Sequence, residues 1–371
     1  MEIVIGGDLV PTKDNIKYFR SNDIDKLIGE KLQKEWFSSD IRIFNLETPI
    51  TDFKTPISKN GLNLSVFTDT INGIVGLKPS LVSLANNHIM DQGLEGYKST
   101  INLLNTNSIP QVGSGYNLKK ASKPFIIEKI GKKIGIYSCA EHEFTIAEKN
   151  KAGANPFDPL KSLDHINDLK YKCDYVIVLY HGGKEHYRYP SPYLQKVCRR
   201  MIEKGADLII CQHSHCIGSF ENYKDSKIIY GQGNFIFNKK KNEFWKTGLL
   251  VKIVIKNNIK IRYIPYKTTN TGIKIFKKKG KVLSDFYNRS KKITDTNFVK
   301  ERYKDYAKTN VELYLRSISG LGKWFSRIDR IIFNGYLINK LYNKKKLLKL
   351  LNVIECEAHR ELIIKGLRSK I

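Results

Sequence analysis

The chain is 371 residues long, 41% hydrophobic and 27% charged, which excludes wholesale disorder and allows one large core or two modest ones. Its formal charge of +28 is concentrated toward the C-terminus: residues 261–371 carry 27 Lys+Arg against 9 Asp+Glu, leaving 37 against 27 before them. That surplus fits nucleic acid, an acidic membrane surface, or an anionic polymer or phosphorylated substrate as partner, while the Asn-, Ile- and Tyr-rich composition also fits a coding bias toward lysine.

Met1 leads directly into Glu2-Ile3-Val4-Ile5-Gly6-Gly7-Asp8, a strand-like run ending in a turn, with no basic or long apolar leader before it. No stretch approaches the roughly 18 apolar residues of a spanning helix, so the expected compartment is the cytoplasm, with peripheral contact at the inner face of the membrane allowed by the charge. Short Ile/Val/Leu runs at 3–5, 41–44, 81–84, 176–179 and 208–210 read as buried strands. Residues 93–105 place Leu94, Tyr97, Ile101 and Leu104 at helical spacing, and 191–205 opens with Pro192 and stops at Gly205. Strands alternating with helices predict an α/β sandwich. Residues 227–230, 248–256 and 258–266 read as further strands, the last two joined by a hairpin at Asn257-Asn258.

From about residue 285 the pattern becomes helical and basic, which divides the chain into a domain at 1–284 and a C-terminal region at 285–371 packing on it or on a partner. There Trp324, Ile328, Ile331, Ile338 and Tyr342 fall on one stripe, with Lys323, Arg327, Arg330 and Lys340 interleaved, as in a basic amphipathic helix. The cysteines Cys139, Cys173, Cys198, Cys211, Cys216 and Cys356 form no Cys-x-x-Cys pair and are expected to be free thiols.

Open α/β sheets place ligand groups at the carboxyl ends of their strands. Each of the five buried runs leads to such groups: the first to Asp8, the second to Asn45 and Glu47, the third to Asn86, Asn87 and His88, the fourth to His181, and the fifth to His213 and His215. This mixture of carboxylate, amide and imidazole suits Zn, Mn, Fe or Co better than Ca. Asp8, Glu47, Asn87, His181, His213 and His215 outnumber the donors one catalytic ion takes, so two divalent metal ions sharing a carboxylate are expected. On an extended segment, His213 and His215 alternate and point to one side, with Cys211. Plainer readings exist: Asp8 as a strand-end turn residue, Asn86-Asn87 as a tight turn, and Gly231-x-Gly233-Asn234 as another turn beside the site. His142, His165, His186 and His359 read as surface or supporting groups.

Gly7-Asp8, Asn45-Leu46-Glu47-Thr48-Pro49, Leu84-Ala85-Asn86-Asn87-His88 with Asp91 and Gly93, His181-Gly182-Gly183-Lys184-Glu185, His213-Ser214-His215 and Tyr230-Gly231-Gln232-Gly233-Asn234-Phe235 together resemble the motif series of CapA-type capsule-synthesis proteins over roughly residues 1–240. Glu141-His142-Glu143-Phe144, Pro190-Ser191-Pro192 and residues 355–360 look similar to the branch found in polysaccharide capsule loci. The resemblance implies a metallophosphoesterase-like four-layer αββα sandwich, here with a basic, helical C-terminal extension. It implies Asp8 as the first aspartate ligand, Glu47 in place of the bridging aspartate, Asn87 as the amide ligand and His181, His213 and His215 as the imidazole ligands. His88 would protonate the leaving group, and Glu185 would orient His181 or position water. Two positions depart from that pattern: Val10 stands where a histidine ligand is usual, and Glu47 is one methylene longer, so one metal site is expected to be altered.

The implied activity is a metal-dependent phosphoester hydrolase in capsular or exopolysaccharide biosynthesis, using a hydroxide between two ions on an anionic or phosphorylated saccharide. The alternative is a non-catalytic component of a polymer synthesis or export assembly. No sequence motif supports specific nucleic-acid binding.

Overall fold

A computed structural model of the chain describes residues 1–238, 242–256 and 259–370. Its strands are β1 (Glu2–Leu9), β2 (Ile41–Leu46), β3 (Leu81–Ser83), β4 (Gln111–Val112), β5 (Ser114–Gly115), β6 (Phe125–Lys129), β7 (Lys132–Ala140), β8 (Gly153–Ala154), β9 (Tyr175–His181), β10 (Leu208–Gln212), β11 (Phe220–Tyr223), β12 (Ser226–Ile229), β13 (Thr247–Ile255), β14 (Ile259–Thr268) and β15 (Ile273–Lys274). One sheet has the order β15-β14-β13-β1-β2-β3-β4 and a second the order β11-β12-β10-β9-β7-β6, with β5 and β8 paired apart. Strands β1 to β4 run parallel, as do β7, β9, β10 and β12, so within each sheet these carboxyl ends share one edge.

Alternation along each parallel strand fills two different layers, because successive side chains leave opposite faces. Ile3, Ile5, Ile41 and Ile43 of the first sheet meet Ile177, Leu179, Leu208 and Ile210 of the second in one core between the sheets. Their neighbours Val4, Phe44 and Val82 pack instead with Trp36 of helix Glu30–Phe37 and Tyr97 and Ile101 of helix Gly93–Thr106. On the far side Val176, Val178 and Ile209 pack with helices Ser162–Lys170 and Pro192–Glu203. The result is the four-layer αββα sandwich that the resemblance implied. Each fully buried Ile or Leu of the middle layer contributes roughly 1.5–3 kcal/mol before the entropy of ordering the chain is counted, so the strand ends stand on a stiff support.

All five expected strands form, and helix Pro192–Glu203 carries Pro192 in its first turn behind an N-cap at Ser191, whose side chain accepts from the Leu194 N–H. Leu94 departs from its expected stripe: it is exposed while Tyr97, Ile101 and Leu104 are buried. Strands β13 and β14 pair antiparallel from Ile255↔Ile259 onward; Asn257-Asn258, the expected turn between them, lie outside the described residues. All six cysteines are free, and five are buried.

The chain divides into two compact units at Met1–Val299 and Lys300–Ile371. Residues 285–299, expected to open the C-terminal region, belong to the first unit because Phe286, Ile293 and Val299 are buried in its cores. In the second unit the stripe expected to run from Trp324 to Tyr342 is cut. Asn334 and Gly335 both take positive φ, separating helices Lys323–Ile331 and Tyr336–Leu341. Ile338 is consequently buried whereas Trp324 is 79% exposed. No helix among the described residues is long and apolar enough to cross a membrane.

Candidate metal centre

Asp8 reaches the site through a bulge. The β1–β2 register runs Ile5↔Ile43 and then Asp8↔Asn45, so one extra residue is accommodated at Gly6-Gly7 and the strand is re-aimed. A Cβ on Gly7 would lie 2.0 Å from the Gly233 carbonyl oxygen, which explains why glycine stands there. Asn45, opposite Asp8, donates from Nδ2 to Asp8 Oδ1 at 2.8 Å and lies 3.3 Å from His181 Nδ1. The next strand exit brings Asn87 Oδ1 to 3.1 Å from His181 Nε2. Asn86 braces this turn, donating to the Asn45 side chain at 3.0 Å and to the Leu46 carbonyl at 2.8 Å.

His213 and His215 arrive differently from the alternation expected of an extended segment. Strand β10 ends at Gln212, and both histidines adopt left-handed backbone, with φ of 79° and 53°. Such a conformation is costly for residues with a Cβ and persists where the surroundings demand it. The Asp8 carboxylate supplies part of that demand by accepting from the His213 backbone N–H at 3.0 Å. Cys211 is no guide to the direction of His213, since its thiol lies in the outer helical layer, 3.8 Å from Cys198 Sγ.

Two sets of donors converge. Glu47, His181 and His213 form one, and Asp8, Glu47 and His215 form the other, with the donor atoms of each set within 4.8 Å of one another. Glu47 belongs to both. It is fully buried, and neither carboxylate oxygen has a hydrogen-bond partner, although the neutral His181 ring places Nε2 3.5 Å from Oε1. His213 Nδ1 is likewise buried and unpartnered. A buried carboxylate without a counter-charge costs several kcal/mol, so this arrangement fits a group that brings positive charge. The oxygen and imidazole donors fit divalent metal ions, with Glu47 between the two sets.

Burial and the nearby charges of Asp8, Glu185 and Glu143 push Glu47 well above its ordinary carboxylate value. Burial would raise Asp8 too, but hydrogen bonding to His215 and the charges of His181 and His215 hold it below the ordinary range. Burial, reinforced by neighbouring His213, drives His181 well below 6.5, and burial with His215 lowers His213. Both rings are therefore neutral near pH 7, the form that ligates metals.

His88 stands beside these sets. Its Nδ1 lies 2.6 Å from Asp91 Oδ2, and Lys59 pairs with Asp91 Oδ1 in a nearly solvent-free contact. Burial would raise Glu185, but the charges of His213, His215 and His186 hold it below the ordinary carboxylate value.

Sequence reasoning missed three contributors. Glu143 accepts from Asn87 Nδ2 at 3.2 Å and lies 3.9 Å from His213 Nε2. Its signal was Glu141-His142-Glu143-Phe144, placed at the exit of β7, a strand broken up by Gly135 and Ser138. Asn234 holds His215, with Oδ1 2.8 Å from Nδ1, so the Gly231–Gly233 turn presents a supporting group. Lys59, from a loop without regular structure, carried no signal. Val10 is buried, with its N–H bonded to the Ile236 carbonyl, and adds no donor on the Asp8 side.

The αββα sandwich, with two donor sets at its strand ends, is a metallophosphoesterase-like fold. Within that class, the chain belongs to the family described as "Bacterial capsule synthesis protein PGA_cap", which matches residues 2–239. It is 29% identical over 207 residues to the PGA biosynthesis protein CapA of Bacillus subtilis, covering 54% of each chain. It is 30% identical over 206 residues to the capsule biosynthesis protein CapA of Bacillus anthracis, covering 53% of this chain and 49% of that one. The alignments thus span about half the length of these relatives. Among solved structures, a phosphatase from Mycoplasma pneumoniae aligns over 72% of this chain and 93% of its own at 17% identity and a TM-score of 0.46. A putative 5'-nucleotidase from Staphylococcus aureus aligns over 77% and 58% at 14% identity and a TM-score of 0.44. These overlaps are loose, and the architecture rests on the strand order and layers described above.

Proposed function

We propose that the chain is a metal-dependent phosphoester hydrolase of capsular or exopolysaccharide biosynthesis, acting in the cytoplasm on an anionic or phosphorylated saccharide. The observation that carries this reading is the buried, unpartnered Glu47 carboxylate common to two donor sets. One ion would be held by Glu47, His181, His213 and Asn87, and the other by Asp8, Glu47 and His215. Such ions supply Lewis acidity toward phosphoryl oxygens and make water more acidic. The protein's own groups do the rest. Asp91 fixes the His88 ring through Nδ1, which leaves Nε2 to give a proton to the departing oxygen. Asn234 Oδ1 holds His215 in place through Nδ1, as acceptors commonly do for ligating histidines. The surplus of Lys and Arg favours an anionic substrate.

The second reading, a non-catalytic part of a polymer synthesis or export assembly, draws support from Val10, which leaves the Asp8 set with three donors. Metal analysis combined with a panel of phosphoesters, on wild type and His213→Ala, separates the two. The proposal expects stoichiometric divalent metal and turnover that His213→Ala removes. Folded protein without transition metal, or turnover indifferent to His213→Ala, refutes it. Loss of polymer production in His88→Ala, with the protein folded and metal-loaded, further favours catalysis over assembly.

A further inference from the structure

The second unit contains a helix whose polarity is inverted. In Lys323–Ile331 the buried residue is Asp329, fully enclosed, accepting from Arg316 Nη1 at 2.7 Å and from the Leu337 N–H at 2.7 Å. Arg316 also donates to the Ser326 carbonyl at 3.1 Å and pairs with Glu312. Ion pair and backbone bonds thus occupy the inner side of the helix. Its outer side is apolar: Trp324 is 79% exposed, Phe325 64%, Ile331 64% and Ile332 68%. Trp324 and Ile331, like Phe325 and Ile332, are seven residues apart, so two adjoining columns form one face. Arg327 and Arg330 are exposed as well, and residues 300–371 carry 17 Lys+Arg against 7 Asp+Glu.

We propose that this face of Trp324, Phe325, Ile331 and Ile332, flanked by Arg327 and Arg330, seats in the headgroup layer of an anionic lipid membrane. Exposed aromatic and aliphatic side chains beside basic ones are what an interfacial helix requires: the apolar columns enter the acyl boundary while the cations meet lipid phosphates. A separate groove of about 580 Å³, lined by Leu313, Arg316, Leu321, Ser326, Arg327 and Arg330, runs along the helix beside this face and includes none of its four apolar residues. Nucleic acid gives no reward for the aliphatic side chains. The proposal is independent of catalysis at the metal centre.

Of the three tryptophans, Trp36 and Trp245 are buried, so fluorescence changes on lipid binding report chiefly on Trp324. The full chain is titrated with phosphatidylcholine vesicles and with vesicles in which phosphatidylglycerol replaces part of that lipid. The expected result is cosedimentation with the anionic vesicles only, a blue shift, and quenching by brominated acyl chains. Arg327→Gln and Arg330→Gln each weaken binding by about fivefold. Trp324→Ser combined with Phe325→Ser weakens it by at least about tenfold, with the circular dichroism of the unliganded chain unchanged. The proposal is overturned if the chain ignores phosphatidylglycerol, or if bound chain leaves Trp324 open to aqueous iodide. It is equally overturned if a lipid-free dimer already buries Trp324.

Discussion

Replacing Glu47 by Gln gives a prediction whose sign depends on metal. Without metal, the wild-type carboxylate is enclosed, unpartnered and close to the Asp8, Glu143 and Glu185 carboxylates. An unsatisfied buried polar group costs about 1–3 kcal/mol, so an isosteric neutral amide that can donate to Asp8 should stabilise the metal-free protein by that order. At about 2 °C per kcal/mol for a unit of this size, Tm should rise by about 2–6 °C. The direction with pH follows from the raised carboxyl value: this group's contribution to wild-type stability is complete below 4.5 and is lost as pH rises through the elevated value. The advantage of Glu47→Gln therefore grows from acid toward neutral pH. With metal the order inverts, because free ion at a thousandfold over Kd stabilises wild type by about 4 kcal/mol per site, whereas the variant has lost the shared charged donor. Scanning calorimetry of both proteins, after chelation and with Mn or Zn added, reads all four values. If Glu47→Gln lowers Tm equally with and without metal, or wild type ignores both chelator and metal, Glu47 is a core residue and the reasoning fails.

Other substitutions probe the surrounding groups. His181→Ala should leave about one ion per chain by elemental analysis, because it removes a donor from one set only. Lys59→Met and Asp91→Asn should each lower phosphoesterase turnover by about 10- to 100-fold with metal content unchanged, since Asp91 holds the His88 ring, Lys59 pairs with Asp91, and neither belongs to a donor set. The lowered values of His181 and His213 predict that these two rings release no proton on binding metal near pH 7, so that any loss of metal affinity there as pH falls, followed by calorimetric titration, comes from the raised Glu47 carboxyl. Stability from these two rings has the same sense: complete above 6.5, lost as pH falls through their depressed values. Gly7→Ala should destabilise the first unit by more than about 3 kcal/mol in urea unfolding, because its Cβ would collide with backbone at Gly233 rather than with a movable side chain.

Much of the site was legible because buried parallel strands leave an unmistakable trace. Runs such as Val176-Ile177-Val178-Leu179 fill two apolar layers at once, so a polar residue at the exit cannot be part of either core and must serve some other purpose. Asp8, Glu47, Asn87, His181, His213 and His215 were all found this way, and the structure brings them together. The C-terminal unit was less legible for the opposite reason. Helical periodicity carried the stripe through residues 334 and 335, where a left-handed pair ends one helix and starts another, and period alone cannot say which side of a helix turns inward.

His213 and His215 reach one site from left-handed rather than extended backbone, and this shows how the donor sets are held. Strand alternation would have left Cys211 and His213 on one face, yet Cys211 lies in the outer layer while His213 turns into the site, because the chain leaves its strand into a left-handed conformation. Asp8 bonds the backbone N–H of His213 and its carboxylate lies 3.5 Å from His215 Nδ1, so one acidic group both shapes this turn and serves as a donor. Asp8 in turn depends on the bulge at Gly6-Gly7, and that bulge depends on the close approach of Gly233, whose segment also positions Asn234 against His215. Backbone geometry at three strand exits is therefore coupled through contacts that no single motif displays. A substitution at Gly7 or Gly233, neither of which offers a donor atom, should therefore reach both sets, the Asp8 set through the bulge itself and the Glu47–His181–His213 set through the bond between Asp8 and the His213 N–H.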